Sequence, residues 1–369
     1  MNILVTGSKG FVGRNLIAEL KNCGYRNIYG FDVDSPKEKL DEYTKNCNFV
    51  FHLAGVNRPE DPNEFMKGNY GFTLELLEKL KAHNNKSPIL LTSSIQAELG
   101  NPYGKSKKAG EDLLFQYSKE NNVEVYVYRL PNLFGKWIKP NYNSVVATFC
   151  YNIARDLEIK INNPESELTL CYIDDVLDEF KRALMNKPTK KGDYCYVPVT
   201  YNTTVGELAQ IIKSFKETRK NLDIPNMSNP FIKKLYSTYL SYLPEDKLSY
   251  ELKMNVDNRG SFTEFIKTLD RGQVSINIIK PGITKGNHWH HTKNEKFLVA
   301  YGEGVIRFRK IDSQEIIEYK VSGDKLEVID IPPGYTHNIE NVGKTDMVTV
   351  MWANESFDPE NPDTYYLEV

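Results

Sequence analysis

No run of about 18 apolar residues occurs in the chain, so a membrane-spanning helix is not expected. Surplus charge is also missing. The sequence has 47 Lys and Arg against 49 Asp and Glu, a formal net charge of −2. That balance exerts no long-range pull on nucleic acid or on an anionic membrane, and neither is expected as a partner. Cysteine is scarce: five residues (Cys23, Cys47, Cys150, Cys171, Cys195) with no CxxC pair. A dispersed, odd set excludes a disulfide framework and points to reduced thiols in the cytoplasm. The first residues lack a basic segment, and their apolar run meets glycine too early for a secretory signal. There is no internal repeat and no low-complexity tract. The remainder is an ordinary globular composition over 369 residues, 40% hydrophobic and 26% charged, the size of two or three domains.

Two regimes divide the chain. Over the first ~240 residues, short apolar runs alternate with longer helical patterns. The runs are Asn2–Val5, Asn27–Phe31, Phe49–Ala54, Ile89–Ser93 and Val123–Leu130; helices are predicted at Phe11–Lys21, Tyr70–His83 and Lys105–Asn121. This alternation predicts an α/β fold, a doubly wound parallel sheet covered on both faces. From about Leu252, short strands follow one another with glycine and proline turns and no long helix. They are predicted at 274–279, 295–300, 304–310, 316–320, 325–329 and 345–353, an all-β barrel or jelly roll. Asn229–Glu251 reads as a helix closing the first domain. The expected domains are 1–245 and 246–369.

Thr6-Gly7-Ser8-Lys9-Gly10-Phe11-Val12-Gly13 joins the first strand to the first helix. Glycines permit a tight turn and close backbone approach, and a helix N-terminus offers free N–H groups to a pyrophosphate. The spacing is GxxGxxG rather than GxGxxG. Asp32 ends the second strand, where a carboxylate can accept from a ribose 2′-OH and favours NAD. Lys9 and Arg58 pull the other way, since either cation can meet a 2′-phosphate. The residues alone leave NAD against NADP open.

Three further residues fall in a useful order. Ser93-Ser94 ends a strand, and Tyr103 and Lys107 stand four apart at the start of a helix, on one face. A nearby ammonium favours the phenolate, so the tyrosine can exchange a proton with a carbonyl oxygen while hydride moves at the adjoining carbon.

Together with His52-Leu53-Ala54-Gly55, Asn69-Tyr70-Gly71, Tyr172 through Val176 and Arg129 through Gly135, these residues resemble the extended short-chain dehydrogenase/reductase family. Most of its members act on nucleotide-linked sugars. The resemblance implies a Rossmann-like domain with Ser94, Tyr103 and Lys107 as catalytic residues and Asn69 in their supporting network. It implies a dinucleotide site built from Gly7, Lys9, Gly10, Phe11, Val12, Gly13, Asp32, Leu53, Ala54, Gly55, Arg58 and Asn69, with Tyr103 and Lys107 also touching the cofactor. One departure stands out. Only about 16 residues separate Asp32 from Phe49, so one strand–helix unit looks truncated.

Four of the six histidines lie in the last 90 residues. His288 and His290 share a strand face, Glu295 follows, and His337 arrives after Pro332-Pro333-Gly334. Imidazoles with one carboxylate suit Zn, Fe, Mn, Ni or Cu. The pattern resembles the cupin superfamily: Gly282, His288, His290, Glu295 and Gly302 match its first motif, and Pro332, Gly334, His337 and Asn341 its second. Leu326 stands where the second motif begins with glycine; Gly323 lies just before it. The resemblance implies His288, His290, Glu295 and His337 as metal ligands. Asn255 through Phe262 is similar to the entry strand of cupin-type nucleotide-sugar epimerases, but the His–Asp dyad of the metal-free ones finds no match. His291 and Lys296 flank the metal motif as candidate proton-transfer groups.

The full-length order, short-chain reductase followed by cupin, resembles a family of bifunctional capsular polysaccharide enzymes. That resemblance implies C3 epimerisation of a UDP-linked 4-keto-6-deoxy amino sugar with bound zinc, then C4 reduction with NADPH. The implied product is UDP-N-acetyl-6-deoxy-L-talosamine, on the way to UDP-N-acetyl-L-fucosamine. It also implies a homodimer formed through the barrel. The alternatives are a cupin that only binds sugar or dimerises, a redox-sensing regulator that binds NADP without turnover, and flux in the oxidative direction.

Overall fold

The structure is a computed structural model describing residues 1–369. The chain forms two compact units, Met1–Lys213 with Lys234–Leu243, and Ser214–Lys233 with Pro244–Val369. The second unit thus takes up residues 214–233, which pair with the barrel: Ile224 N donates to Lys267 O at 2.8 Å and Lys267 N to Leu222 O at 2.9 Å.

In the first unit, β1 (Asn2–Thr6), β2 (Asn27–Phe31), β3 (Phe49–His52), β4 (Ile89–Ser94) and β5 (Val125–Leu130) are parallel neighbours. With β8 (Lys190–Lys191) and β9 (Tyr194–Cys195) they give the order β2-β1-β3-β4-β5-β9-β8. β6 (Asn132–Phe134), β7 (Glu167–Tyr172) and β10 (Tyr201–Thr204) make a separate three-stranded sheet. The central strands are apolar without interruption because helices cover both faces. Ile3, Val5 and Phe51 enter one core and Leu4 and Val50 the other, as a period of two requires. Outside β1 there is only β2. The usual doubly wound order carries two strands there. The helix Lys37–Asn46 instead returns the chain directly from β2 to β3, so a helix fits in the short interval and the further strand is absent.

Boundaries differ from the sequence expectation for physical reasons. β3 stops at His52, because residues 53–55 bend against the glycine loop. The helix of Tyr103 starts at Pro102, with Asn101 Oδ1 accepting from Gly104 N at 2.7 Å. The helix expected at Tyr70 runs Phe72–Ala82 and is preceded by a π-helical stretch, Met66–Gly71. The helix expected over Asn229–Glu251 is Pro230–Leu240 and ends before Pro244.

The second unit is antiparallel throughout its two sheets. One has the order β11 (Met254–Asp257), β12 (Gly260–Thr268), β13 (Gly272–Ile279), β20 (Met347–Ala353), β15 (Glu295–Tyr301), β18 (Val328–Ile331). The other runs β17 (Ile316–Ser322), β16 (Glu303–Lys310), β19 (Tyr335–Asn341), β14 (Thr284–Trp289), β21 (Tyr365–Tyr366). The strand expected at 325–329 runs Val328–Ile331. Ile279, Phe297, Val299, Ile306, Phe308 and Ile339 form the core of the antiparallel barrel expected from the turn pattern. No helix in either unit is long and apolar enough to cross a membrane.

Candidate functional site

The dinucleotide loop is built on close backbone packing. Gly7 has φ +66°, and a Cβ there would lie 2.8 Å from Ala54 N. A Cβ on Gly13 would lie 2.2 Å from Gly7 O. Gly7 thus packs on Leu53 and Ala54 at the ends of β1 and β3, Gly13 packs on Gly7 and Ser8, and Gly55 lies against Lys107 and Asn69. The helix from Phe11 has no side-chain cap, so the N–H groups of Phe11, Val12 and Gly13 remain for an anion. Asp32 Oδ2 accepts from Lys9 N at 2.7 Å, holding the loop against the end of β2. The Lys9 ammonium pairs with Asp34, and Arg58 donates to the Tyr142 carbonyl. Both cations are thus engaged, and Asp34 is a partner that the motif alone did not indicate.

The Ser–Tyr–Lys group lies in the same unit. Pleat alternation on β4 separates the two serines. Buried Ser93 donates to Glu111 Oε1 at 2.5 Å, while Ser94 ends the strand and accepts from Gln96 N at 3.2 Å. Lys107 is buried; its Nζ donates to Thr92 O at 3.2 Å and lies 6.0 Å from the Tyr103 ring centroid. Burial pulls its pKa down to about 8, against the opposing charge of Glu111. Burial pushes Tyr103 up, and a hydrogen bond with Ser94 pulls it back. The tyrosine is thus raised, opposite to the direction expected from the lysine alone. Asn69, in the π-helical stretch, accepts from Val56 N at 2.9 Å and donates to Ser106 Oγ at 2.9 Å. Behind these lies an unforeseen buried network: Arg129 donates to Glu111 Oε1 at 2.9 Å and Oε2 at 2.6 Å, and Tyr194 stacks on the guanidinium. His52 sits buried between Thr6 Oγ1 (2.7 Å) and Thr73 Oγ1 (2.9 Å), with its pKa lowered to about 3.

In the barrel, histidines and carboxylate come from opposing sheets. β14 carries His288 and leads into His290, β19 carries His337, and Glu295 opens β15 across the interior. A bulge between Gly286 and His288 shifts the register, so that His288 faces His337. One ligand atom from each of His288, His290, Glu295 and His337 lies within 4.8 Å of all the others. Glu295 Oε2 is 3.5 Å from His290 Nε2 and 3.3 Å from His337 Nε2. All three of these atoms are buried without a hydrogen-bond partner. Buried polar groups are normally satisfied, so orphaned lone pairs aimed at one point fit a divalent cation. Burial pushes Glu295 up, but the flanking imidazoles more than offset it and hold the carboxyl well below its usual range. Burial lowers His288 to about 4.

The group opens into a cavity of about 570 Å³, walled by Phe297, Ile339, Met351 and Phe357 and by the polar Gln273, Asn277, Lys285 and Lys293. Two flanking candidates do not reach it. His291 is exposed against Trp289 and Tyr365, and Lys296 is exposed and paired with Asp330. Lys296, one residue past the inward-pointing Glu295 on β15, faces out by strand alternation, and His291 lies in the turn after β14. Buried Lys293 is the lysine that lines the cavity.

This pairing of a dinucleotide-type sheet with a histidine-rich barrel has counterparts among known proteins. The profile described as NAD dependent epimerase/dehydratase family matches residues 3–197, and that described as Polysaccharide biosynthesis C-terminal domain matches residues 255–365. The chain belongs to the NAD dependent epimerase/dehydratase family. Its full length is of the CapF type of capsular polysaccharide enzyme. The crystal structure of the capsular polysaccharide assembling protein CapF from Staphylococcus aureus is 58% identical, with TM-score 0.95 and both chains covered in full. CapF with the inhibitor 3-isopropenyl-tropolone gives TM-score 0.91 at 54% identity, again over 100% of both chains. The UDP-2-acetamido-2,6-beta-L-arabino-hexul-4-ose reductase of Pseudomonas aeruginosa is 47% identical over 369 residues, 100% of this chain and 99% of its own.

Proposed function

We propose that this protein is a bifunctional nucleotide-sugar enzyme. The barrel inverts C3 of a UDP-linked 4-keto-6-deoxy-N-acetylhexosamine, and the N-terminal unit then reduces C4. The product is UDP-N-acetyl-6-deoxy-L-talosamine, a precursor of UDP-N-acetyl-L-fucosamine for capsular polysaccharide. The observation that carries this reading is the full-length similarity to a reductase of a UDP-linked hexul-4-ose, a sugar with its ketone at C4. The reading also takes NADPH as reductant, Zn2+ as the barrel's cation, a homodimer through the barrel, and a cytoplasmic setting.

His288, His290, Glu295 and His337 would hold the cation, which supplies polarisation of the C4 carbonyl and so acidifies C3–H. The tropolone inhibitor of CapF carries adjacent ketone and hydroxyl oxygens, a chelating pair in keeping with an accessible metal. In the N-terminal unit, the glycine loop would hold the pyrophosphate of a nicotinamide dinucleotide, which would supply hydride to C4. Ser94 donates a hydrogen bond to the C4 oxygen, and Tyr103 gives that oxygen its proton. Lys107, anchored on the Thr92 carbonyl, favours the resulting phenolate. Epimerisation comes first, because C3–H loses its acidity once the ketone is gone.

The test is incubation with UDP-4-keto-6-deoxy-N-acetylhexosamine, NADPH and Zn2+, with NMR of the product at C3 and C4. The expected product is inverted at C3 and bears an alcohol at C4. Without nicotinamide, in D2O, deuterium is expected at C3. Reduction with no exchange at C3 would leave the barrel a binding module; no reaction of the ketose would overturn the whole reading.

A further inference from the structure

The last sixteen residues, 354–369, reach every segment that carries a candidate ligand. Asn354 N donates to Asn294 O at 3.2 Å, and Asn294 N to Asn354 Oδ1 at 3.1 Å, beside Glu295. β21 pairs with β14, setting Tyr366 opposite His288 and Tyr365 opposite Trp289. Leu367 N donates to Asn287 O at 3.0 Å, and Thr336 Oγ1, next to His337, donates to Leu367 O.

Asp363 makes the most specific of these contacts. Its main-chain carbonyl accepts from His290 Nδ1. A carbonyl only accepts, so Nδ1 carries the proton and the Nε2 lone pair is left to face Glu295. The Asp363 carboxylate takes three consecutive backbone N–H groups: His291 at 2.9 Å, Thr292 at 2.7 Å and Lys293 at 2.8 Å. Thr292 Oγ1 adds a fourth bond at 3.1 Å. Burial pushes its pKa up, but these donors together more than offset that and hold it well below the usual carboxylate range. They also fix the turn that sets the separation of His290 from Glu295.

We infer that Asp363 is a positioning residue of the metal centre, its carbonyl selecting the His290 tautomer and its carboxylate locking the 291–293 turn. The inference rests on the metal reading above. Groups that orient a ligating imidazole typically matter 10- to 100-fold in metal affinity.

The experiment uses the full chain and the metal ions alone. Co2+ is followed by its d–d absorption, and Zn2+ by competition with a chromophoric chelator. Asp363→Ala and Asp363→Asn are expected to bind both ions roughly 10- to 100-fold more weakly than the native chain. Asp358→Ala is the control. The Asp358 carboxylate bonds only within the tail, to Glu360 N and Asn361 Nδ2, and the variant should keep native affinity. In the metal-free protein, 15N NMR should find His290 as the Nδ1–H tautomer, and a mixture in Asp363→Ala, whose main-chain carbonyl loses the carboxylate bonds that hold it on Nδ1. Native affinity in both Asp363 variants, or equal loss in Asp358→Ala, overturns the inference. If Asp363→Ala fails to fold, the near-isosteric Asp363→Asn decides. A native chain that binds neither ion overturns the metal reading itself, a different result.

Discussion

Ser93 and Ser94 differ by one position and face opposite environments, so a single residue separates a structural hydroxyl from a candidate catalytic one. Tyr103→Phe removes the proton donor while keeping the ring. NADPH oxidation with the keto sugar should fall by about 10²- to 10⁴-fold, at unchanged melting temperature. Lys107 makes a sharper prediction. Its pKa falls from 10.5 to about 8 on folding, so the unfolded chain holds the extra proton between those values. Stability from this residue therefore improves as pH rises through that window, and the full penalty of a buried ammonium applies below about pH 8. Lys107→Met should accordingly abolish reduction yet raise unfolding free energy at pH 7 by on the order of 2 kcal/mol, readable by urea titration. A loss of stability would show that the bond to Thr92 O outweighs the desolvation.

Strand and helix periodicity made much of both candidate sites legible. The glycine loop, the Tyr103–Lys107 spacing and the His288–His290 alternation are local patterns, readable without coordinates. Alternation also shows why Lys296 faces out, one residue past an inward ligand on β15, while His291 lies in the turn after β14. His291→Ala and Lys296→Ala should leave C3 deuterium exchange near native, because both side chains are exposed and neither lines the cavity. A collapse of exchange in either would return that side chain to the site. Asp363, Glu111 and Lys293 were not legible for a different reason. Asp363 acts across 73 positions and partly through a main-chain carbonyl, which leaves no side-chain signal. Glu111 meets Arg129 only once β5 lies beside β4. Lys293 faces the cavity from a turn, where no period applies. The π-helical stretch that presents Asn69 likewise lies outside any regular repeat.

At the scale of the whole chain, the short interval after Asp32 was visible in the sequence, and the sheet gives its consequence, a single strand outside β1. The proposed chemistries use different cofactors and so should separate. Chelation with EDTA is expected to stop deuterium exchange at C3 while NADPH oxidation continues on a ketose already inverted there. Equal loss of both activities would contradict independent sites.

The unsatisfied imidazole and carboxylate atoms inside the barrel bear on supply as well as catalysis. On the metal reading a cation would satisfy each of them, so metal binding would contribute directly to folding. Starving a producing cell of divalent metal should therefore shrink the pool of intact enzyme through turnover by proteases, before any surviving molecule runs slower.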